Sequence, residues 1–216
     1  MKVENTTVKW VKRVRKYLTE REVSAVLEEL STPFDLISNL MVHTGRRPTE
    51  VLLVKPNDID HEHKMIEFIQ LKKRGKKIEY SRERKPRERV HERKKVTKPI
   101  DISDIYDKLI KYMERTPSNM YLFPSDINDS AHVDIRTLQR KVRLAGENCG
   151  IPIHPHMFRH TFAVRYLEKR INVDKIDPIQ ALFELKNILG HASIDTTMGY
   201  LSYVVTGKES LKGLWS

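Results

Sequence analysis

A mostly helical domain carrying a small antiparallel β-hairpin, an α+β fold, is predicted by three observations. Apolar residues recur at i, i+3, i+4 and i+7 in several segments that open on Thr, Ser, Asp or Pro, and several of these close on Gly. The alternating segment Met65–Leu71 and its counterpart Lys95–Ile100 flank a long basic stretch, as two strands flank a hairpin tip. With 216 residues, 39% hydrophobic and 32% charged, the chain can bury one core beneath a densely charged surface.

The elements follow in order. Residues 1–18, with the basic-aromatic run Trp10–Tyr17, read as a lead-in. Thr19 and Glu22 form a T-x-x-E capping box ahead of Val23, Val26, Leu27 and Leu30, which predicts a helix over about 20–30. Thr32 as cap and Pro33 at the first position open the next, with Phe34, Ile37, Leu40 and Met41 inward and Gly45 as its stop. Pro48 opens a short helix over Thr49–Lys55, closed by Pro56. After the hairpin, Ser103 caps a helix with Ile105, Leu109, Ile110 and Met113 on one side. Another runs from Asp134 to about Cys149, turning Ile135, Leu138, Val142 and Ala145 inward and stopping at Gly150. Pro155 starts a helix through Phe158, Phe162 and Tyr166, and Asp177-Pro178 starts one through Leu182, Leu185 and Ile188 to Gly190. Thr196–Tyr203 is the last helix, and a tail over 205–216 carries Leu211, Leu214 and Trp215.

Charge narrows the function. The formal net charge is +11, and the segment from Lys72 to Lys98 holds fourteen basic residues against four acids, so it carries nearly all of the excess. Positive charge concentrated in this way suits a polyphosphate backbone, and a solvated charged loop is the plain alternative. Apolar runs such as Val51–Val54 fall far short of the ~20 residues of a membrane span. No secretory signal is visible and the one cysteine, Cys149, excludes an internal disulfide and a Cys-rich metal site, so a soluble, cytoplasmic protein is expected. The scarcity of Gln and Cys beside abundant Lys and Glu matches heat-adapted proteins.

Four clusters use residue types suited to phosphoryl transfer. Thr44-Gly45-Arg46-Arg47-Pro48-Thr49-Glu50 forms a helix–turn–helix junction that can present a guanidinium. Lys72 in the hairpin is a mobile point charge able to donate a proton. His156-x-x-Arg159 places imidazole and guanidinium on one helix face. His191 is followed by Tyr200 nine residues later. Each alone also has a structural reading, as a packed Tyr, a core His or a chance H-x-x-R.

Taken in order, the clusters resemble the tyrosine recombinases, or phage-type integrases. Thr44 to Glu50 matches T-G-x-R-x-x-E, and His156-Met157-Phe158-Arg159-His160-Thr161-Phe162-Ala163 matches H-x-x-R-H-T-F-A. Leu189-Gly190-His191-Ala192-Ser193-Ile194-Asp195-Thr196-Thr197-Met198-Gly199-Tyr200 matches L-G-H-x-S-I-x-T-T-x-x-Y. The resemblance covers about residues 17–204 and implies the tyrosine recombinase catalytic-domain fold over 19–204. It also implies a site-specific recombinase that cuts and rejoins duplex DNA through a 3′-phosphotyrosine, with no metal, ATP or other cofactor.

In that reading Tyr200 is the nucleophile and Arg47 and Arg159 clamp the scissile phosphate. His156 assists the tyrosine proton, His191 hydrogen-bonds a phosphoryl oxygen, and Lys72 protonates the leaving 5′-oxygen, with Lys73 its neighbouring rival. Spacing to Glu50 selects Arg47 over Arg46, Glu50 braces Arg47 or the fold, and spacing selects Tyr200 over Tyr203. Lys73, Arg74, Lys76, Lys77, Arg82, Arg84, Lys85, Arg87 and Arg89 are expected to contact DNA. The interval from Arg159 to His191 is longer than in compact members, with the excess around Asp174–Ala181. Gly199, which costs about 1 kcal/mol in a helix relative to Ala, suits a nucleophile segment that moves or reaches a neighbouring subunit, or is simply a weak helix end.

Partners expected from the resemblance are double-stranded DNA and further copies of the chain, as a tetramer on DNA, with the Leu211, Leu214, Trp215 tail docking on a neighbour or on its own core. Family members carry an N-terminal helical domain that grips DNA, whereas about eighteen residues precede the catalytic domain here, as in a catalytic fragment or a minimal recombinase. Two other functions stay open at this level: topoisomerase-like nicking and religation without strand exchange, and a catalytically silent DNA-binding regulator.

Overall fold

The computed structural model describes residues 17–70, 97, 99–118, 120–127 and 131–205. Lys72, Lys73 and the other hairpin cations named above, with the 205–216 tail beyond its first residue, lie outside the described residues.

Helix α1 (Glu20–Glu29) starts as its sequence dictates. Thr19 Oγ1 accepts from the Glu22 amide at 3.3 Å, and the Glu22 carboxylate accepts from the Thr19 amide at 2.7 Å. That reciprocal box satisfies two amides that the first turn would otherwise leave bare. Helix α2 (Phe34–Thr44) differs from the expectation, because Thr32 does not cap it and Pro33 stands just outside it. The Ser31 carbonyl already takes the Phe34 and Asp35 amides, at 2.9 and 3.4 Å, so no side-chain cap is needed there. Helix α3 (Pro48–Leu52) begins one residue earlier and ends three earlier than Thr49–Lys55, since the Val54 amide turns back onto the Val51 carbonyl.

Strands β1 (Ile59–Asp60), β2 (Met65–Ile66) and β3 (Ile100–Asp101) form an antiparallel sheet in that order. The register pairs Ile59 with Ile66 and Ile66 with Ile100. The pairing continues toward the basic segment, where the Thr97 amide donates to the Phe68 carbonyl at 2.9 Å. Strands β2 and β3 are therefore antiparallel as expected, with regular pairing among the described residues at Met65–Ile66 and Ile100–Asp101, while Leu71, Lys95, Val96 and Lys98 of the expected strands lie outside the described residues. Strand β1 was not anticipated, because two residues offer no alternation to read.

Helix α4 (Ser103–Arg115) starts at Ser103 rather than being capped by it, and Asp101 Oδ1 accepts from the Ser103 amide at 2.8 Å instead. Ile105, Leu109 and Tyr112 face inward, with Tyr112 buried where Ile110 was expected. Helix α5 (Ile135–Asn148) is capped by Asp134, which accepts from the Arg136 and Thr137 amides. Helix α6 (His156–Glu168) opens after Pro155 and runs on through a π-helical turn, Lys169–Val173. Helix α7 (Pro178–Leu189) is capped by Asp177, and α8 (Asp195–Val205) completes the described chain.

Two apolar clusters share α6. Its first turn places Met157 and Phe158 in the cluster built from α1 to α5 and the sheet. Its later turns place Ala163, Val164 and Leu167 against Leu182, Leu185 and Leu189 of α7 and Tyr200 of α8. Leu18 joins the structure through its amide, which donates to the buried Thr161 Oγ1 at 2.9 Å. No helix among the described residues is long and apolar enough to cross a membrane.

Helices α2 and α7 each end on a left-handed glycine, Gly45 with φ 65° and Gly190 with φ 66°. Close approach adds a second demand at Gly45, where a methyl group would strike the Phe162 ring, whereas one on Gly190 would meet the Gln70 amide end, which can swing aside. Replacing Gly45 by Ala combines a left-handed backbone cost with overpacking, for a loss of about 2–4 kcal/mol. Thermal unfolding is expected to show Tm lowered by roughly 4–16 °C for a chain of this size.

Candidate active site

The side chain around which the site is built is Arg159, only 4% exposed. A guanidinium at that depth needs acceptors, and backbone carbonyls supply them. Nη1 donates to the Gly45 carbonyl at 2.6 Å and Nη2 to the Leu189 carbonyl at 2.9 Å. Both carbonyls sit at helix C-termini, where intrahelical partners run out and the helix dipole is negative. Burial, with Arg47 nearby, pushes the Arg159 pKa down to about 10, which leaves it charged at neutral pH.

Arg159 also fixes His191. Nη2 lies 3.0 Å from His191 Nε2, and because arginine can only donate, Nε2 is the accepting nitrogen. The proton is therefore on Nδ1, which donates to Thr197 Oγ1 at 2.9 Å. Thr197 is fully buried on α8, so it sets the tautomer and the plane of the ring. The L-G-H motif spacing follows from this: Leu189 gives the carbonyl, Gly190 the turn and His191 the imidazole.

Arg47 stands at the opposite junction, as the residue that caps α3. Its Nη1 pairs with Glu50 Oε1 at 2.8 Å and its amide donates to Glu50 Oε2 at 2.9 Å. Glu50 is fully buried, so the brace expected from the sequence is present and shielded from solvent. Arg46 turns the other way: it is buried, with its guanidinium carbon 5.6 Å from the Phe68 ring centroid, and burial lowers its pKa. Of the two arginines, Arg47 is the one left partly open beside the site.

Tyr200 comes to the same place from α8. It is 8% exposed, and burial raises its pKa while Arg159 and then Arg47 act to lower it. Its hydroxyl lies 2.8 Å from His160 Nδ1. His156, expected from the resemblance to assist the tyrosine proton, lies on the first turn of α6 with its side chain partly open to solvent. Partial burial of that ring, followed by His154, Arg159 and Arg47, lowers its pKa. Tyr203, the rival nucleophile, packs edge-on against Tyr17 with centroids 5.3 Å apart.

Arg47, His156, Arg159, His191 and Tyr200 thus converge on one site. Lys72 lies outside the described residues, although Gln70, two positions before it, rests against Gly190. Two residues at the site were missed by sequence reasoning, His160 and Thr197. The signal for His160 was available, since it lies four residues after His156 and so shares its helix face. Among the described residues no cluster of three His, Cys, Asp or Glu side chains could hold a metal ion.

Two outcomes follow. Glu50→Ala leaves Arg47 unbraced beside Arg46 and Arg159, and denaturant unfolding is expected to show a loss of about 3–5 kcal/mol. His156 should hold its proton less tightly than an ordinary histidine, so its NMR titration midpoint should fall below 6.5, with the ring neutral at pH 7.

Comparison with known proteins gives a consistent picture. The phage integrase family profile matches residues 16–204. Tyrosine recombinase XerA of Saccharolobus solfataricus is 30% identical over 191 residues, covering 88% of this chain and 53% of the relative. The chain therefore spans about half the length of that relative. Among solved structures, XerH recombinase bound to palindromic difH substrate in a post-cleavage complex superposes with a TM-score of 0.65 at 22% identity, covering 94% of this chain and 54% of that one. The catalytic domain of bacteriophage HP1 integrase superposes with a TM-score of 0.56 at 20% identity, covering 88% and 89% of the two chains. The fold is that of a tyrosine recombinase catalytic domain.

Proposed function

The chain belongs to the phage integrase family, and from that premise we propose that it catalyses site-specific recombination of double-stranded DNA. The observation that carries this reading is the burial of the Tyr200 phenol within the field of Arg159 and Arg47. An ordinary phenol, with a pKa of about 10, is a poor nucleophile at neutral pH. Two guanidinium groups favour negative charge both on that oxygen and on a phosphate beside it.

In the proposed reaction the Tyr200 oxygen attacks a DNA phosphorus, forming a 3′-phosphotyrosine and releasing a 5′-hydroxyl. Arg47 and Arg159 take the charge of the non-bridging oxygens as it grows. His191 is proposed as the third group toward that phosphate, held in plane by Thr197; to donate to a phosphoryl oxygen its Nε2 must give up the bond from Arg159 and take a proton. Lys72 gives the leaving 5′-oxygen its proton. Attack by a 5′-hydroxyl from a second duplex reverses the chemistry and exchanges strands without ATP, because the covalent link keeps the energy of the phosphodiester. Exchange requires several copies on DNA, and a tetramer is the proposed assembly. The XerH complex with its palindromic difH substrate and the Tn1549 transposon integrase in complex with transposon right end DNA have the same fold and support DNA as the partner. The basic segment from Lys73 to Arg89 is assigned to backbone phosphates.

Incubation with supercoiled plasmid in EDTA, quenched with SDS, tests the proposal. Wild type should give protein-linked nicks, Tyr200→Phe none, and both should bind DNA comparably in a filter assay. Arg159→Ala should lower covalent complex by about 10²–10³-fold. Lys72→Ala should be defective on ordinary DNA and restored by a 5′-bridging phosphorothiolate, whose sulfur leaves without a proton, whereas Lys73→Ala should be defective mainly in DNA binding. Absence of linked DNA with wild type on plasmid and on nicked attachment-site substrates would sink the reading.

A further inference from the structure

We propose that His160 is the base that receives the Tyr200 proton, an assignment that rests on the recombinase reading above. The contact is direct, with His160 Nδ1 2.8 Å from the Tyr200 hydroxyl oxygen and the two ring centroids 5.5 Å apart. That separation lies within the range for hydrogen-bonded proton transfer. His156 occupies the same helix four residues earlier, and the hydrogen bond to the phenol goes to His160.

Burial is what makes a contacting base necessary. Tyr200 as a residue is only 8% exposed, and the group its hydroxyl meets is His160. Proton loss before attack is unfavourable, since an ordinary imidazole titrates near 6.5 and a phenol near 10. The transfer therefore accompanies bond formation. As the Oη–P bond forms, the phenol becomes more acidic, its Oη–H bond breaks, and the proton passes to Nδ1 to give an imidazolium. The P–O5′ bond breaks with its electron pair on the 5′-oxygen, which takes a proton from the separate acid assigned to Lys72. In religation His160 returns its proton to the departing tyrosine. Arg159 and Arg47, which both act on the phenol, favour the charge that appears between these steps.

A general base contributes typically about 10²–10⁴-fold, so His160→Ala and His160→Asn should each lower covalent complex on plasmid DNA by that factor. Asn keeps a polar group near the Nδ1 position but cannot hold a proton, and so separates positioning from proton transfer. Melting curves and filter binding of each variant establish that fold and DNA affinity persist. The decisive measurement places 3-fluorotyrosine at position 200, which lowers the phenol pKa and the need for a base. It should restore much of the activity of His160→Ala and little of that of His156→Ala.

The outcomes separate cleanly. If wild type forms no covalent complex, the recombinase reading fails and the assignment with it. If wild type is active and His160→Asn matches it, or 3-fluorotyrosine leaves His160→Ala and His160→Asn unrestored, the recombinase reading stands and His160 is not the base. Rescue of His156→Ala alone would give the proton to His156. Higher activity in His160→Ala than in wild type would make the contact a restraint on the nucleophile.

Discussion

A buried guanidinium cannot be left without acceptors, and the way Arg159 finds them determines how the rest of the site is assembled. Its two carbonyl partners, at Gly45 and Leu189, come from helices far apart in sequence that end at the same point. Each helix would otherwise leave its last carbonyls unsatisfied. The arginine and the two helix ends therefore solve each other's problem, and the outcome is a rigid junction between α2, α6 and α7. Arg47 follows from the first of these ends and His191 from the second, so both inherit their positions from Arg159.

Electrostatically the site is cationic but internally braced. Arg47 lies close enough to lower the proton affinity of Arg46 and of Arg159, and the buried Glu50 offsets part of that repulsion. A phosphate would replace this costly arrangement of like charges with bidentate pairing. The same field acts on Tyr200 against its burial, so the proposed nucleophile and the proposed phosphate site are tuned by one set of charges. The two apolar clusters on either side of α6 keep these groups fixed and sparingly hydrated.

Much of this was legible in the sequence where a local rule governs. The Thr19–Glu22 box, the Asp134 and Asp177 caps and the glycine stops at Gly45 and Gly190 depend only on neighbouring residues. The convergence of Arg47, His156, Arg159, His191 and Tyr200 was legible through motif spacing. The rest depends on contacts between segments that no local pattern encodes. Strand β1 exists because β2 offers it a partner, not because Ile59–Asp60 has a strand signature. Arg46 reads as a surface cation, yet it is buried over Phe68, which comes from the other side of the chain's turn into the sheet. His160 was quoted only as part of a motif, and its contact with Tyr200 appears once α8 is laid across α6. Helix boundaries moved by one to three residues for the same reason: a carbonyl such as that of Ser31 intervened where a side chain was expected.

The two terminating glycines carry a consequence for how sequences of this kind can change. At Gly45 the backbone angle and the nearby Phe162 ring impose independent demands, while at Gly190 the angle is the main demand because the Gln70 amide end can swing aside. Trimming Phe162 or Gln70 could make room for a side chain, but it could not make a left-handed conformation comfortable for one. No single second-site substitution compensates for loss of either glycine. Drift can therefore proceed around these two positions while having almost no route through them.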